Sequence, residues 1–189
     1  MKLIKSVLFG VLVAFFATYA SASTKVAGVT VPDTLQYGGK TMVHNGSGVR
    51  KKLFMQLYVG SLYLSKKSSN VTEILSSKDA KAIRLVLISN KVTVPRMKQA
   101  MLKGLTKVTQ GNLAPIQSEV DQILAVFDKG VAVNDAFDII NVQGNGLHVV
   151  KNGKQILRVN SPVFKDALFK MWLSNAAQDS RLRAGLLGM

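Results

Sequence analysis

The chain has no cysteine in 189 residues. Thiolate metal sites, cysteine nucleophiles and disulfide frameworks are therefore excluded, and packing alone must hold the fold. Imidazole is almost as scarce. His44 and His148 are the only two histidines, neither has a carboxylate close by in sequence, and each reads as a structural residue in or beside a strand. Acidic residues number 10 against 25 basic ones, a net charge of +15. Of the few carboxylates, Glu119, Asp121 and Asp128 read as the solvated face of a helix. No nucleophile elbow, phosphate loop or metal-spaced cluster is present, so neither a metal nor a cofactor is expected. There is also no low-complexity linker, no internal repeat and no composition break.

Only one long apolar run exists, from Val7 to Ala17, behind Lys2 and Lys5. With Ala20-Ser21-Ala22 it has the layout of a secretory signal cleaved after Ala22, too short for the roughly 20 residues of a membrane span. The expectation is a signal peptide over residues 1–22, a single domain over 23–189, and export to the periplasm. Loss of Lys2 and Lys5 leaves 23 basic residues against 10 acidic, 23 − 10 = +13. Such an excess favours anionic partners, including peripheral contact with an anionic membrane. Nucleic acid is disfavoured, because the basic residues are scattered with no aromatic stacking platform among them.

The periodicity predicts a strand over Val26–Val31 and another over Thr41–His44. A glycine turn through Gly46 and Gly48 should follow, then a long strand over Lys52–Leu64 and one over Ile83–Ser89. A short helix capped by Asn70 or Thr72 is expected around Ile74. Pro95 fits the first turn of a helix whose apolar stripe is Met97, Met101, Leu102, Leu105 and Val108. Pro115 opens another with Ile116, Val120, Ile123, Leu124 and Phe127 on its buried side. Strand character returns at Asp135–Val142. Asn152-Gly153 between Leu147–Val150 and Gln155–Val159 is a strong hairpin signal. Ser161 then caps a helix with Pro162 at its first position, and a last short helix spans about Asp179 to Leu187. Strands, helices, strands, helices in that order predict an α+β domain with an antiparallel sheet covered by helices on one face.

The functional weight falls on Asn45-Gly46-Ser47-Gly48-Val49-Arg50 and the apolar alternation up to Tyr58-Val59-Gly60-Ser61-Leu62-Tyr63-Leu64. An arginine there either covers the rim of a sheet or stands in a cleft as a fixed cation for an anionic ligand. These stretches resemble the chalcone isomerase family, in whose members a Gly-x-Gly-x-Arg turn enters a long strand. Asp135-Ala136-Phe137-Asp138, Gly144-Asn145-Gly146, the helix Ser161–Leu173 and Arg181–Gly188 extend the resemblance, in order, to the exported bacterial chalcone isomerase-like branch.

That resemblance implies an open-faced β-sandwich, a large antiparallel sheet with helices on one side and a ligand cleft between them. It also implies two activities for the arginine, which maps to Arg50. Plant enzymes of the family use it to stabilise an enolate during ring closure, and non-catalytic relatives bind fatty acids through it and a tyrosine. The enzyme's polar set transfers poorly. Its strand threonine falls near Tyr58, its tyrosine and asparagine near Met97 and Gly104, and its later hydroxyl near Lys170. Ring closure by orientation should lose several kcal/mol without them. The expected function is hence a binding protein, with no cofactor. It would hold a fatty acid or similar amphipathic anion on Arg50 and Tyr58, with Leu57, Met97, Met101 and Phe164 lining an apolar cleft. An isomerase or lyase using Arg50 and Tyr58, and a basic envelope protein with a membrane or protein partner, are the alternatives.

Overall fold

The computed structural model describes residues 23–189; the expected signal segment and its cleavage point lie outside the described residues. Four strands open the described part of the chain: β1 Ser23–Val26, β2 Val29–Pro32, β3 Thr34–Tyr37 and β4 Lys40–Lys52. Then come β5 Met55–Leu64, α1 Val71–Ser76, β6 Lys81–Leu87, α2 Val94–Val108 and α3 Gln117–Ala125, with 3-10 turns flanking α3. The chain ends with β7 Ala136–Val142, β8 Gly146–Lys151, β9 Lys154–Val159, α4 Pro162–Leu173 and α5 Ser180–Leu186. Strands β3 to β9 form one antiparallel seven-stranded sheet in sequence order, and β1–β2 form a separate hairpin. This is the expected α+β architecture, and its boundaries follow local chemistry. The Asn70 side chain accepts from the Glu73 N–H to start α1, Ser161 does the same for α4 from Phe164, and Asp179 for α5 from Leu182.

One sheet face carries Leu62, Ile83, Leu85, Phe137, Ile139 and Val149 into the main core, where they meet Met101 and Leu105 of α2, Val120 and Ile123 of α3, and Phe164, Leu168 and Trp172 of α4. The alternate residues, among them Val59, Tyr63, Ala82 and Ile140, build a smaller core on the other face with Val31 of β2 and Leu35 of β3. There the Tyr63 hydroxyl donates to the Pro32 carbonyl at 3.0 Å. Helices thus cover one face, and the β1–β2 hairpin shields part of the other.

Three expectations need correction. Val26–Val31 is not one strand: Ala27 and Gly28 both take positive φ and turn the chain into a hairpin. Leu102 is solvent-exposed on α2, and Gly104 joins Met97, Met101 and Leu105 on the buried stripe. Gly46 and Gly48 are not a turn. They lie inside β4, and the turn comes later, at Leu53-Phe54. Their lack of a side chain serves a close approach: a Cβ on Gly46 would run into the Gly185 carbonyl oxygen and come within 2.8 Å of the Gly188 nitrogen. A Cβ on Gly48 would sit 3.1 Å from the Leu182 carbonyl oxygen. Helix α5 therefore lies directly on the β4 backbone, glycine against glycine.

Candidate functional site

Arg50 and Tyr58 are directly opposite one another on β4 and β5, so both project toward the helical layer. Arg50 enters the site from within a strand, not from a glycine turn, and it is not a free cation. Its Nη1 donates to Asp179 Oδ2 at 2.9 Å and to the Lys51 carbonyl at 2.7 Å. Asp179 is at the same time the N-cap of α5, where its Oδ1 accepts from the Leu182 N–H at 2.9 Å. Burial works against the Asp179 charge, but the Leu182 N–H, the Arg50 guanidinium and the Lys51 N–H together hold its carboxyl below the usual range. One carboxylate thus ties sheet, helix start and arginine together. Both of these bonds use Nη1, and among the described residues the Arg50 Nε and Nη2 meet no acceptor.

A register shift brings Leu57 into the site. Arg50 pairs with Tyr58 but Lys51 pairs with Gln56, which leaves Leu57 as the extra residue of a bulge in β5. Strict alternation would send Leu57 and Tyr58 to opposite faces; a bulge breaks the alternation and re-aims a side chain. Both residues line the same cavity. The Tyr58 hydroxyl accepts from Trp172 Nε1 at 3.2 Å, so its own proton remains available to donate. Burial raises the Tyr58 pKa above the ordinary phenol value, against the opposing effects of the Trp172 bond and the Arg50 charge. The group is therefore a neutral donor at physiological pH.

The cavity has a volume of about 540 Å³ and lies between the β4–β5 end of the sheet, α2 and the α4–α5 connection. Leu57, Leu85, Met97, Met101 and Met171 supply apolar wall; Arg50 and Tyr58 supply the polar end. Lys52, Lys91, Arg96 and Lys103 add four further cations to its lining, against the single carboxylate of Asp179. Of the residues anticipated from sequence, Arg50, Tyr58, Leu57, Met97 and Met101 are brought together here. Phe164 is not: it sits at the opposite end of α4 from Trp172, fully buried in the core, and does not line the cavity.

Sequence reasoning missed Asp179 and Trp172 as site residues. Both had local signals, but only for structure: Asp179 as a helix start, Trp172 as an apolar position of α4. Nothing local links either to residues more than 100 positions away. The histidines stay structural. His44, whose pKa burial and the Lys67 charge push down, contacts Ser47 Oγ at 2.6 Å. It packs against Tyr63, on the sheet face away from the cavity. His148 is buried against Gln155 and the Asn145 carbonyl.

Comparison with known proteins agrees with this architecture. The profile described as chalcone isomerase-like matches residues 23–188. A crystal structure of a fatty-acid binding protein from Arabidopsis thaliana superposes with a TM-score of 0.69, covering 88% of this chain and 96% of that one at 16% sequence identity. At that identity the likeness is one of fold. No curated protein sequence matches the chain.

Proposed function

Because the chain belongs to the chalcone isomerase-like family, we propose that it is a non-catalytic binding protein for a fatty acid or similar amphipathic anion. The observation that carries this reading is the cavity of about 540 Å³ that is apolar along α2 and ends in Arg50 and Tyr58. Its volume falls in the range of roughly 300–1,000 Å³ of small-molecule sites. A carboxylate would take the open Nε–Nη2 edge of Arg50 and the Tyr58 proton, while its chain would lie against Leu57, Met97 and Met101. Methionine suits chains of differing length because it repacks without branching constraints. Support also comes from the fold shared with the fatty-acid binding protein of Arabidopsis thaliana.

An enzyme would need a group able to shuttle a proton beside the ligand. Beside Arg50 the cavity offers Asp179, held ionised by three donors, and Tyr58, whose raised pKa makes it a weaker acid than free phenol. A phenol that keeps its proton suits holding an anion better than turning one over. The leader-like character of the first 22 residues supports a periplasmic location for this binding; N-terminal sequencing of the protein recovered from its host, starting at Ser23, is the corresponding test.

The binding test is a titration of the delipidated protein with a fluorescent fatty acid and with its methyl ester. The acid should bind at least tenfold more tightly than the ester. Arg50→Gln should remove that preference, since hydrogen bonds to charged groups contribute about 1.5–3 kcal/mol. Equal affinity for acid and ester, or no binding of either, overturns the reading.

A further inference from the structure

We propose that the tip of the β4–β5 hairpin is a docking element for an anionic phospholipid bilayer, placing the cavity mouth on the membrane surface. Phe54 is 102% exposed and Leu53 is 83% exposed, and they are the two turn residues at the end of the hairpin. The whole stretch from Lys51 to Gln56 is exposed.

The turn itself argues that these side chains are kept for what they do outside the protein. Three other two-residue hairpin turns in this chain are Ala27-Gly28, Gly38-Gly39 and Asn152-Gly153, each with both residues at positive φ. Those are the small or Asn-type residues that tolerate the left-handed region. Only the β4–β5 tip places a leucine there, at φ +54. A γ-branched side chain gains nothing from that backbone, and at the rim of the cavity it packs little against the protein.

The chemistry around the tip selects the partner. Lys51 and Lys52 precede the apolar pair, and Lys91, Arg96 and Lys103, all exposed, line the cavity together with Lys52. An aromatic and a leucine flanked by cations is the arrangement that inserts apolar groups at the headgroup–acyl boundary while the cations meet anionic lipid. A second copy of the chain is a poor occupant: two side chains fall far short of the roughly 1,000 Å² of a stable interface, and facing tips would oppose lysine to lysine. Because Lys52, Leu53 and Met55 also line the cavity, a docked tip turns the opening toward the lipid. The docking stands whatever the cavity carries.

The absence of cysteine allows a unique label. Phe54→Cys in the full chain, carrying an environment-sensitive nitrobenzoxadiazole group, should shift to the blue and brighten on vesicles of phosphatidylcholine with phosphatidylglycerol. The same label at Val163, exposed at the far end of α4, should not change. Replacing Lys51 and Lys52 together by glutamine should weaken partitioning of the unlabelled protein about 25-fold, from roughly fivefold per basic side chain. Phe54→Ser should weaken it roughly tenfold or more. Co-flotation with an unchanged probe at position 54 would mean that another surface binds, and overturns the proposal. So does failure to bind the vesicles, or a blue shift that rises with protein concentration in their absence, which would report self-association.

Discussion

Gly185→Ala sets two well-known effects against each other at one atom. Gly185 lies within α5, where alanine is a better helix former by about 1 kcal/mol. On local propensity the variant should be more stable. The packing predicts the reverse. The new Cβ would run into the Ser47 carbonyl oxygen and lie 2.9 Å from the Gly48 Cα. These are backbone atoms of a strand paired on both sides, so relief requires lifting α5 away from β4. Overpacking of this kind costs about 1–3 kcal/mol. Lifting the helix further would uncover Leu182, Leu186 and Leu187, all buried, at about 1.5–3 kcal/mol for each side chain fully exposed. Partial relief therefore leaves a net loss of about 2 kcal/mol after the propensity gain, roughly 4–8 °C in Tm for a chain of this size. Gly104→Ala is the control, because its Cβ would meet mainly the Met171 side chain and the Gln178 amide. Those can move, and the change should stay within about 1 kcal/mol of native. Thermal unfolding followed by circular dichroism compares the two. A Gly185→Ala protein melting at or above the native temperature would refute the close-approach account.

Stability should rise from pH 8 toward pH 10. Burial and the neighbouring Lys165 push the Lys81 ammonium down to about 8 from 10.5, with Asp166 and Asp79 opposing. In that interval the unfolded chain holds a proton that the folded one releases, a gain of at most about 3 kcal/mol at 1.36 kcal/mol per unit. Beyond pH 10 the trend should reverse, since burial holds the Tyr63 phenol up at about 12 and the unfolded chain releases that proton while the folded one still holds it. Urea midpoints across this range check both signs, and Lys81→Met should flatten the rising limb. Asp179→Asn keeps a cap for α5 but removes the charge that holds Arg50. It should lose the native protein's added destabilisation below about pH 4, and it should bind the fluorescent fatty acid more tightly by freeing the guanidinium. Weaker binding would show that Asp179 positions Arg50 for the ligand.

The legible parts of the fold were those whose cause is local. Asn152-Gly153 can turn in only a few ways, Ser161-Pro162 can start a helix but not continue a strand, and Asn70 caps the segment that follows it. Gly46 and Gly48 misled because glycine inside a strand and glycine in a turn look alike in one dimension. What distinguishes them is a helix arriving from 140 residues further along. Arg50 was readable as a site residue but its pairing was not, because Asp179 advertises only a helix start. Phe164 had the right character for a cleft wall, and the turn of α4 that carries it faces the core.

The bulge at Leu57 bears on how such a cavity arises. With Leu57 absent, Tyr58 and Gln56 would pair with Arg50 and Lys51 in unbroken alternation, and the only apolar β5 side chain left on the phenol's side at this end would be Met55, at the exposed rim. One inserted codon thus sets an apolar wall for a hydrocarbon chain directly beside the phenol that donates to its headgroup, without altering the pairing on either side. A pocket of this kind is reachable in a single length change rather than through a series of substitutions, and it can be lost as abruptly. Relatives that share the fold but lack the extra residue should therefore differ in what they hold before they differ in how they fold.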